Sequence, residues 1–403
     1  MTDHAVLGQV ALGYCPMVDR QRAIIGTRLT VFPDRPDAAP DPQALLAALH
    51  EVWPAEEAAS KPSLSLNLAG EALLKAMLQA SPGAQTMVEV PAFMAGDPAN
   101  ADALHALRAS GATLVIKGRP LAPLPAPLLP LFTHCIVELE EDRRAGAPAP
   151  AGVSRTVTTI QAGLRSSADF DLAFQRGAAA VLGWTWDDPP PKSQGRNSVP
   201  TDIKTVMDLI NGVERELPVA QLEGVLRRDP TLAFRLMRYL NSPAFGLSVE
   251  INSFGHALML LGYQRLKRWL ALLLASSAKG ANAKPLMYAA VRRGLVMEEL
   301  ARESGGDAEM RSEMFICGVF SLLDRLLNQP MKELLPSVPV PERVAQALRD
   351  DAGPYAPMLH LVQAVELGTA FDIREKAELL LLGPAVINRA VLAALKAARQ
   401  LDG

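Results

Sequence analysis

A chain of 403 residues exceeds what one hydrophobic core ordinarily organises, so two domains are expected. Apolar residues make up 49% and charged residues 21%, the balance of an ordinary globular protein rather than a disordered or fibrous one. The net charge of −3, with both signs interspersed, offers no basic face to release counterions from DNA, so nucleic acid is not an expected partner. Cys15, Cys135 and Cys317 lie too far apart for a disulfide framework or a zinc ribbon, which fits a reducing cytoplasm. The opening MTDHAVLGQVALGYCP lacks the basic and apolar regions of a signal peptide. The longest apolar run, 269–275, is far shorter than the roughly 20 residues of a membrane span. A cytoplasmic protein without membrane contact is the expectation.

Short β-prone runs recur through the first half, at 10–18, 23–32, 63–68, 86–91, 112–117, 135–140, 155–160 and 179–184. Between several of them lie amphipathic patterns such as PQALLAALHEVW, GEALLKAMLQAS and ANADALHALRASG. Strands alternating with helices indicate βα units, and this many strands in so short a stretch indicate a TIM-like β/α barrel. PLAPLPAPLLP at 120–130 stands where such a barrel would carry a longer helix, and its prolines predict a shortened or irregular element. DRRAGAPAPAG at 142–152 reads as a loop. WDDPPPKSQGRNSVP at 186–200 has consecutive prolines and then a polar stretch without apolar periodicity, the signature of a linker. The expected division is therefore 1–186 for the barrel, 187–200 for the linker and 201–403 for a second domain.

Beyond residue 200 the β-prone runs stop and helical patterns take over. Asp229-Pro230 is a helix start, a capping aspartate followed by proline at the first helical position. A helix ends at Asn241-Ser242-Pro243, an apolar helix runs into Leu260-Leu261-Gly262, and another begins near Tyr263. In that last helix Leu266, Trp269, Leu270, Leu273 and Leu274 share one apolar face, and Arg265, Lys267 and Arg268 are assigned to its solvated side.

The stretch NSPAFGLSVEINSFGHALMLLG at 241–262, followed by YQRLKRWLALLLASS, resembles the central segment of an HDOD domain, a helical relative of the HD phosphohydrolases that has lost its metal site. The first half resembles an EAL domain, the barrel family that hydrolyses cyclic di-GMP. The resemblance lies in YCPMVDRQRAIIG at 14–26, then SLNLAGEALL, MVEV and the terminal RGAAAVLGW, in that order and spacing. Together the two resemblances cover nearly the whole chain and imply a two-domain signalling protein.

EAL catalysis requires two divalent cations on oxygen ligands, and most of the positions that would supply them are changed here. The naming motif becomes Arg28-Leu29-Thr30, so Arg28 matches the metal-binding glutamate. A guanidinium about 4 Å from a dication would cost on the order of 8 kcal/mol at an effective dielectric near 20. Ile116 and Lys117 match a pair of aspartates, with Arg119 following. Ile136 falls near a family lysine and Glu138 at its partner aspartate, while Ala162 matches a glutamate and Leu182 a glutamine. Asn67 and Glu89 are the remnant ligand positions. Asn67 reads either as a ligand or as a strand-end hydrogen-bonding residue, and Glu89 either as a ligand or as a solvated carboxylate. Arg28, Lys117, Arg119 and Arg165 could attract phosphates or could pair with Glu89 and Glu138. In the second half the His-Asp position falls at Ser321-Leu322, with Asp324 nearby but alone, and His256 and His360 have no ligand partners adjacent in sequence.

These resemblances imply a non-enzymatic scaffold without catalytic residues, metal or cofactor, working through contacts with signalling proteins such as cyclases, kinases or response regulators. Cyclic di-GMP is not expected as a ligand, and a non-hydrolysing cyclic di-GMP receptor is the alternative. The oligomeric state is left open.

Overall fold

The computed structural model describes residues 2–35, 37–54, 64–84, 86–120, 123–141, 157–189, 201–226, 254–275, 283–338 and 340–402. The helix start at Asp229-Pro230, the helix end at Asn241-Ser242-Pro243, the loop 142–152 and most of the linker lie outside them. Two compact units emerge, one of Met1–Asp188 with Gln363–Leu392, the other of Pro189–Val362 with Ala393–Gly403.

The first unit is a closed eight-stranded barrel in sequence order. Its strands are β1 (Val10–Asp19), β2 (Ile24–Pro33), β3 (Leu64–Leu68), β4 (Thr86–Pro91), β5 (Thr113–Lys117), β6 (Phe132–Glu138), β7 (Thr158–Leu164) and β8 (Ala180–Gly183). β1 is antiparallel to both β2 and β8, whereas β2 to β8 run parallel. Connection length explains the difference. β1 turns into β2 through a tight loop in which Asp19 Oδ1 accepts the Ala23 amide at 2.8 Å and Arg22 takes φ +59°. A parallel pair needs a longer crossover. Several crossovers carry capped helices: Asp41 caps Pro42–His50, and Ser166 with Asp169 forms a capping box on Ser167–Gln175. Between β5 and β6 the described residues hold only the short 3₁₀ turn Leu129–Leu131, as the prolines there require.

Alternation along the strands fills the interior. Met17, Met87, Val115, Ile136, Ile160 and Ala180 pack together inside, with Ala162 and Leu182 beside them. One step further along the parallel strands, the same period brings Arg28, Ser65, Asn67, Glu89, Lys117 and Glu138 to the barrel mouth.

Gln363–Leu392 belongs with this barrel rather than with the contiguous helical domain expected at 201–403. The reason is a set of contacts invisible to local pattern. Helix Ala370–Leu379 packs against β1. Asn388, 1% exposed, accepts the Leu12 amide at 3.1 Å and donates to the carbonyls of Leu7 and Val10, each at 2.7 Å. The turn at Gly368 approaches β1 so closely that a Cβ on Gly13 would stand 2.8 Å from Gly368 Cα and 3.1 Å from the Val365 carbonyl. No single described helix is long and apolar enough to cross a membrane. The pair Ala370–Leu379 and Pro384–Arg399, bent by 111°, passes by length and composition, and its Ile373, Ala377, Ile387, Val391 and Leu395 are buried within the protein.

The second unit is helical. Thr201–Glu214 packs against Phe254–Ala275, which in turn meets Ala308–Phe320, and Ala308–Phe320 pairs with Ala283–Glu303. Gly262, at φ +72°, breaks Phe254–Ala275 where the sequence placed a helix junction. The helices Ala283–Glu303 and Ala308–Phe320 cross at Gly294 and Gly318, where a Cβ on Gly318 would lie 2.6 Å from Gly294 Cα. Leu266, Leu270, Leu273 and Leu274 are buried as expected, but Lys267 and Arg268 are not on a solvated side. Lys267 is buried against Glu214, and Arg268 binds Glu298 at 2.7 Å and lies over the Phe315 ring at 4.0 Å. Neighbouring helices bring Glu214 and Glu298 to these two cations, which form partly buried ion pairs.

Candidate functional site

The mouth of the barrel is built around one buried ion pair. Arg28 on β2 donates from Nε to Glu89 Oε1 at 2.8 Å and from Nη2 to Glu89 Oε2 at 2.6 Å, and Ser65 Oγ donates to the same Oε1 at 2.8 Å. The Glu89 side chain is fully buried and that of Arg28 is 12% exposed. Burial disfavours the charged guanidinium, yet the Glu89 carboxylate and its hydrogen bonds hold Arg28 above its ordinary pKa. Glu89 is therefore not the solvated carboxylate one sequence reading allowed. Register explains why: Arg28 pairs across β2–β3 with Ser65, and Glu89 follows one inward step after Met87, the partner of Ser65.

Beside the pair, Lys117 Nζ donates to Asn67 Oδ1 at 2.8 Å, and Asn67 Nδ2 donates to Thr30 Oγ1 at 3.2 Å. Asn67 thus acts as a hydrogen-bonding residue near its strand end. Burial, then the nearby Arg28 charge, lowers the Lys117 pKa below its usual value. Burial pushes the Cys15 thiol up to about 12, so it is no thiolate at neutral pH.

A cavity of about 340 Å³ opens over these groups, lined also by Tyr14, Glu138, Arg165, Trp184, Trp186 and residues 366–368. Trp186 stacks on Trp184 with ring centroids 4.9 Å apart, and the Trp184 indole donates to the Glu366 carbonyl at 2.8 Å.

Of the sequence candidates, Arg28, Asn67, Lys117, Glu138 and Leu182 line this cavity. Glu89 lies beneath it, bound to Arg28. Ile116 does not take part: it lies between Val115 and Lys117 on β5 and faces the other way. Ala162 lies inside β7, which extends to Leu164 instead of ending at 160, and it packs in the barrel core. The expected pairing of the cations with Glu89 and Glu138 is seen for Arg28, whereas Lys117 bonds to Asn67. Arg165 binds Asp187 at 2.6 Å, and Arg119 borders a separate cleft with Phe93, Glu140 and Glu141. Sequence reasoning missed Ser65, although its spacing of two from Asn67 puts both on one strand face. It also missed the wall at 366–368, for which only the helix-ending Leu367-Gly368 gave a local signal.

The residues present do not fit a binuclear metal site. The Glu89 carboxylate is bonded through both oxygens to a guanidinium, and among the described residues no three His, Cys, Asp or Glu side chains group closely enough to hold a metal ion. At the His-Asp position of the helical unit, Ser321 Oγ accepts from the buried Arg293 Nη1 at 2.8 Å and donates to the Gly318 carbonyl at 2.7 Å, while Leu322 is 2% exposed. Burial raises the Asp324 pKa. His360 binds Asp351 Oδ1 at 2.6 Å.

Residues 198–334 match the family model described as the HDOD domain. Among curated proteins, "Uncharacterized protein YuxH" of Bacillus subtilis is 28% identical over 202 residues, 49% of this chain and 48% of that protein. The "Cyclic di-GMP phosphodiesterase CdgJ" of Vibrio cholerae is 30% identical over 199 residues, 49% of this chain and 45% of that protein. The matches thus span about half the length of these curated relatives. Among solved structures, "PaMucR Phosphodiesterase, c-di-GMP complex" aligns with 46% of this chain and 94% of its own at 16% identity and a TM-score of 0.33. "Structure of EAL Enzyme Bd1971 - cGMP bound form" aligns with 43% of this chain and 60% of its own at 13% identity and a TM-score of 0.31. The barrel assignment itself rests on the strand pairing.

Proposed function

We propose that this chain is a non-catalytic scaffold of cyclic di-GMP signalling, in which an inactive EAL-like barrel and an HDOD domain act through protein contacts. The observation that carries the reading is the Arg28–Glu89–Ser65 network. A permanent guanidinium occupies both oxygens of the carboxylate that a metal would need, so a dication brought there meets a fixed charge of its own sign. The match of residues 198–334 to HDOD and the name of the Vibrio relative support the signalling context. Signalling proteins such as cyclases, kinases or response regulators are the partner class that this reading gives.

The test is a hydrolysis assay on the intact protein with cyclic di-GMP and magnesium or manganese. Turnover at the level of the buffer blank is expected. Turnover above it that disappears in Glu89→Ala would overturn the reading, because it would make Glu89 a working ligand.

A further inference from the structure

We propose that the barrel-mouth cavity binds a free α-amino acid, with Lys117 holding the carboxylate and Glu138 the ammonium group. This goes beyond the scaffold reading and stands or falls independently of it. It rests on which charges at the mouth remain uncompensated. Arg28 and Glu89 cancel each other through two hydrogen bonds, and Arg165 is matched by Asp187. Among the described residues Lys117 has the neutral Asn67 amide as its hydrogen-bond partner and no carboxylate at ion-pair distance, and the Glu138 side chain is in no hydrogen bond or ion pair; the two charges act on each other only across the cavity.

The two unmatched groups face one cavity from neighbouring strands. Lys117 pairs in register with Ile136, so Glu138 stands one strand over and two residues further toward the mouth, on the same face. They do not close on each other to ion-pair distance. The Glu138 carboxylate fills the space left by a missing side chain on β7: a Cβ on Gly163 would lie 2.5 Å from Glu138 Oε2. That Gly163 takes φ +75°, a conformation suited to glycine.

A cation and an anion that face one cavity of about 340 Å³ without forming an ion pair complement a small molecule that carries both charges. Such a volume sits at the small end of the usual range for ligand pockets, roughly 300 to 1,000 Å³. A purely anionic ligand would set a negative charge against Glu138, and a purely cationic one would face Lys117. An amino acid satisfies both groups and leaves its side chain for the apolar wall of Tyr14, Trp184, Trp186 and Leu367.

The experiment is calorimetric titration of the intact protein with each standard L-amino acid. L-Phenylalanine is accompanied by 3-phenylpropanoate, which lacks the ammonium, and phenethylamine, which lacks the carboxylate; cyclic di-GMP is run in parallel. Saturable one-to-one binding of at least one amino acid is expected, with the deaminated and decarboxylated analogues of that amino acid at least tenfold weaker. Lys117→Met and Glu138→Gln should each weaken amino-acid binding at least tenfold, and Glu138→Gln should also narrow the discrimination against the deaminated analogue. Glu138→Gln should melt no lower than the parent, since it removes no ion-pair partner, whereas Lys117→Met also removes the donor to Asn67 and is read together with its melting temperature. The proposal is overturned if no amino acid saturates, if the deaminated analogue binds as tightly as its parent, or if both variants stay within twofold. Cyclic di-GMP binding that is lost in Lys117→Met, with no amino acid bound, also overturns it, while leaving the absence of hydrolysis to be judged separately.

Discussion

Replacing Arg28 by methionine isolates the energetics of the barrel mouth. Methionine keeps much of the arginine stem but removes both bonds to Glu89, leaving a carboxylate whose side chain is fully buried with Ser65 as its hydrogen-bond partner. The gross attraction across the 2.6 Å contact is about 6 kcal/mol at an effective dielectric near 20. Part of this is returned by no longer desolvating the guanidinium. Removing one member of a buried pair costs about 3 to 5 kcal/mol, and that range is expected here. Arg28→Met with Glu89→Met removes the uncompensated charge as well, and its stability should return to within about 2 kcal/mol of the parent. Three of the four tryptophans, Trp53, Trp184 and Trp186, lie in the barrel unit, so urea unfolding followed by tryptophan fluorescence reports chiefly on it. Two units make two transitions possible, and the barrel transition is the one to fit. A single variant costing less than about 1 kcal/mol, or a double variant as unstable as the sum of the singles, would refute the reasoning.

Gly318→Ala should destabilise the helical unit by about 2 kcal/mol or more, because the new methyl meets the backbone of Gly294 rather than a movable side chain; thermal melting checks this. Asn388→Ala strips three buried backbone groups of their partner and should cost the barrel unit about 3 to 5 kcal/mol in urea unfolding, whereas Asn388→Gln should be rescued only in part. Burial raises the Asp324 pKa above 3.8, so the stability linked to that group is fully present below the unfolded value and is lost as pH rises through the folded one. Asp324→Asn should therefore melt higher than the parent at neutral pH, with the difference vanishing in melts below about pH 4. Its side-chain oxygen can still accept the Arg325 amide, now held at 2.8 Å.

The barrel was legible because its signal is local and repeated. Runs such as 86–91 and 112–117 alternate with amphipathic segments, and the structure places strands at Thr86–Pro91 and Thr113–Lys117. β7 was misplaced because Gln161, Ala162 and Gly163 carry little strand propensity, yet pairing with β6 carries the strand through Ala162 and pairing with β8 takes it on to Leu164. Lys267 and Arg268 were misread for the opposite reason: their type suggested solvent, and partners on distant helices supplied Glu214 and Glu298. At the mouth, the resemblance singled out Arg28, Asn67, Glu89, Lys117 and Glu138 by position alone. That Arg28 would reach Glu89, while Lys117 would reach Asn67 and Arg165 would reach Asp187, depends on strand register and loop position that no residue pattern encodes.

The return of Gln363–Leu392 to the barrel sets the order in which the protein can be made. A ribosome releases β8 and must then synthesise residues 189–362 of the helical unit before Asn388 emerges to satisfy Leu7, Val10 and Leu12. At about 5 to 20 residues per second, that interval is roughly 10 to 40 seconds. Throughout it the outer side of β1 lacks its covering helix, and an apolar surface of the nascent chain stays open to chaperones. The helical unit, by contrast, has all but Ala393–Gly403 in hand as soon as residue 362 leaves the tunnel, so most of the later-synthesised unit is free to fold while the barrel still waits for its closing segment.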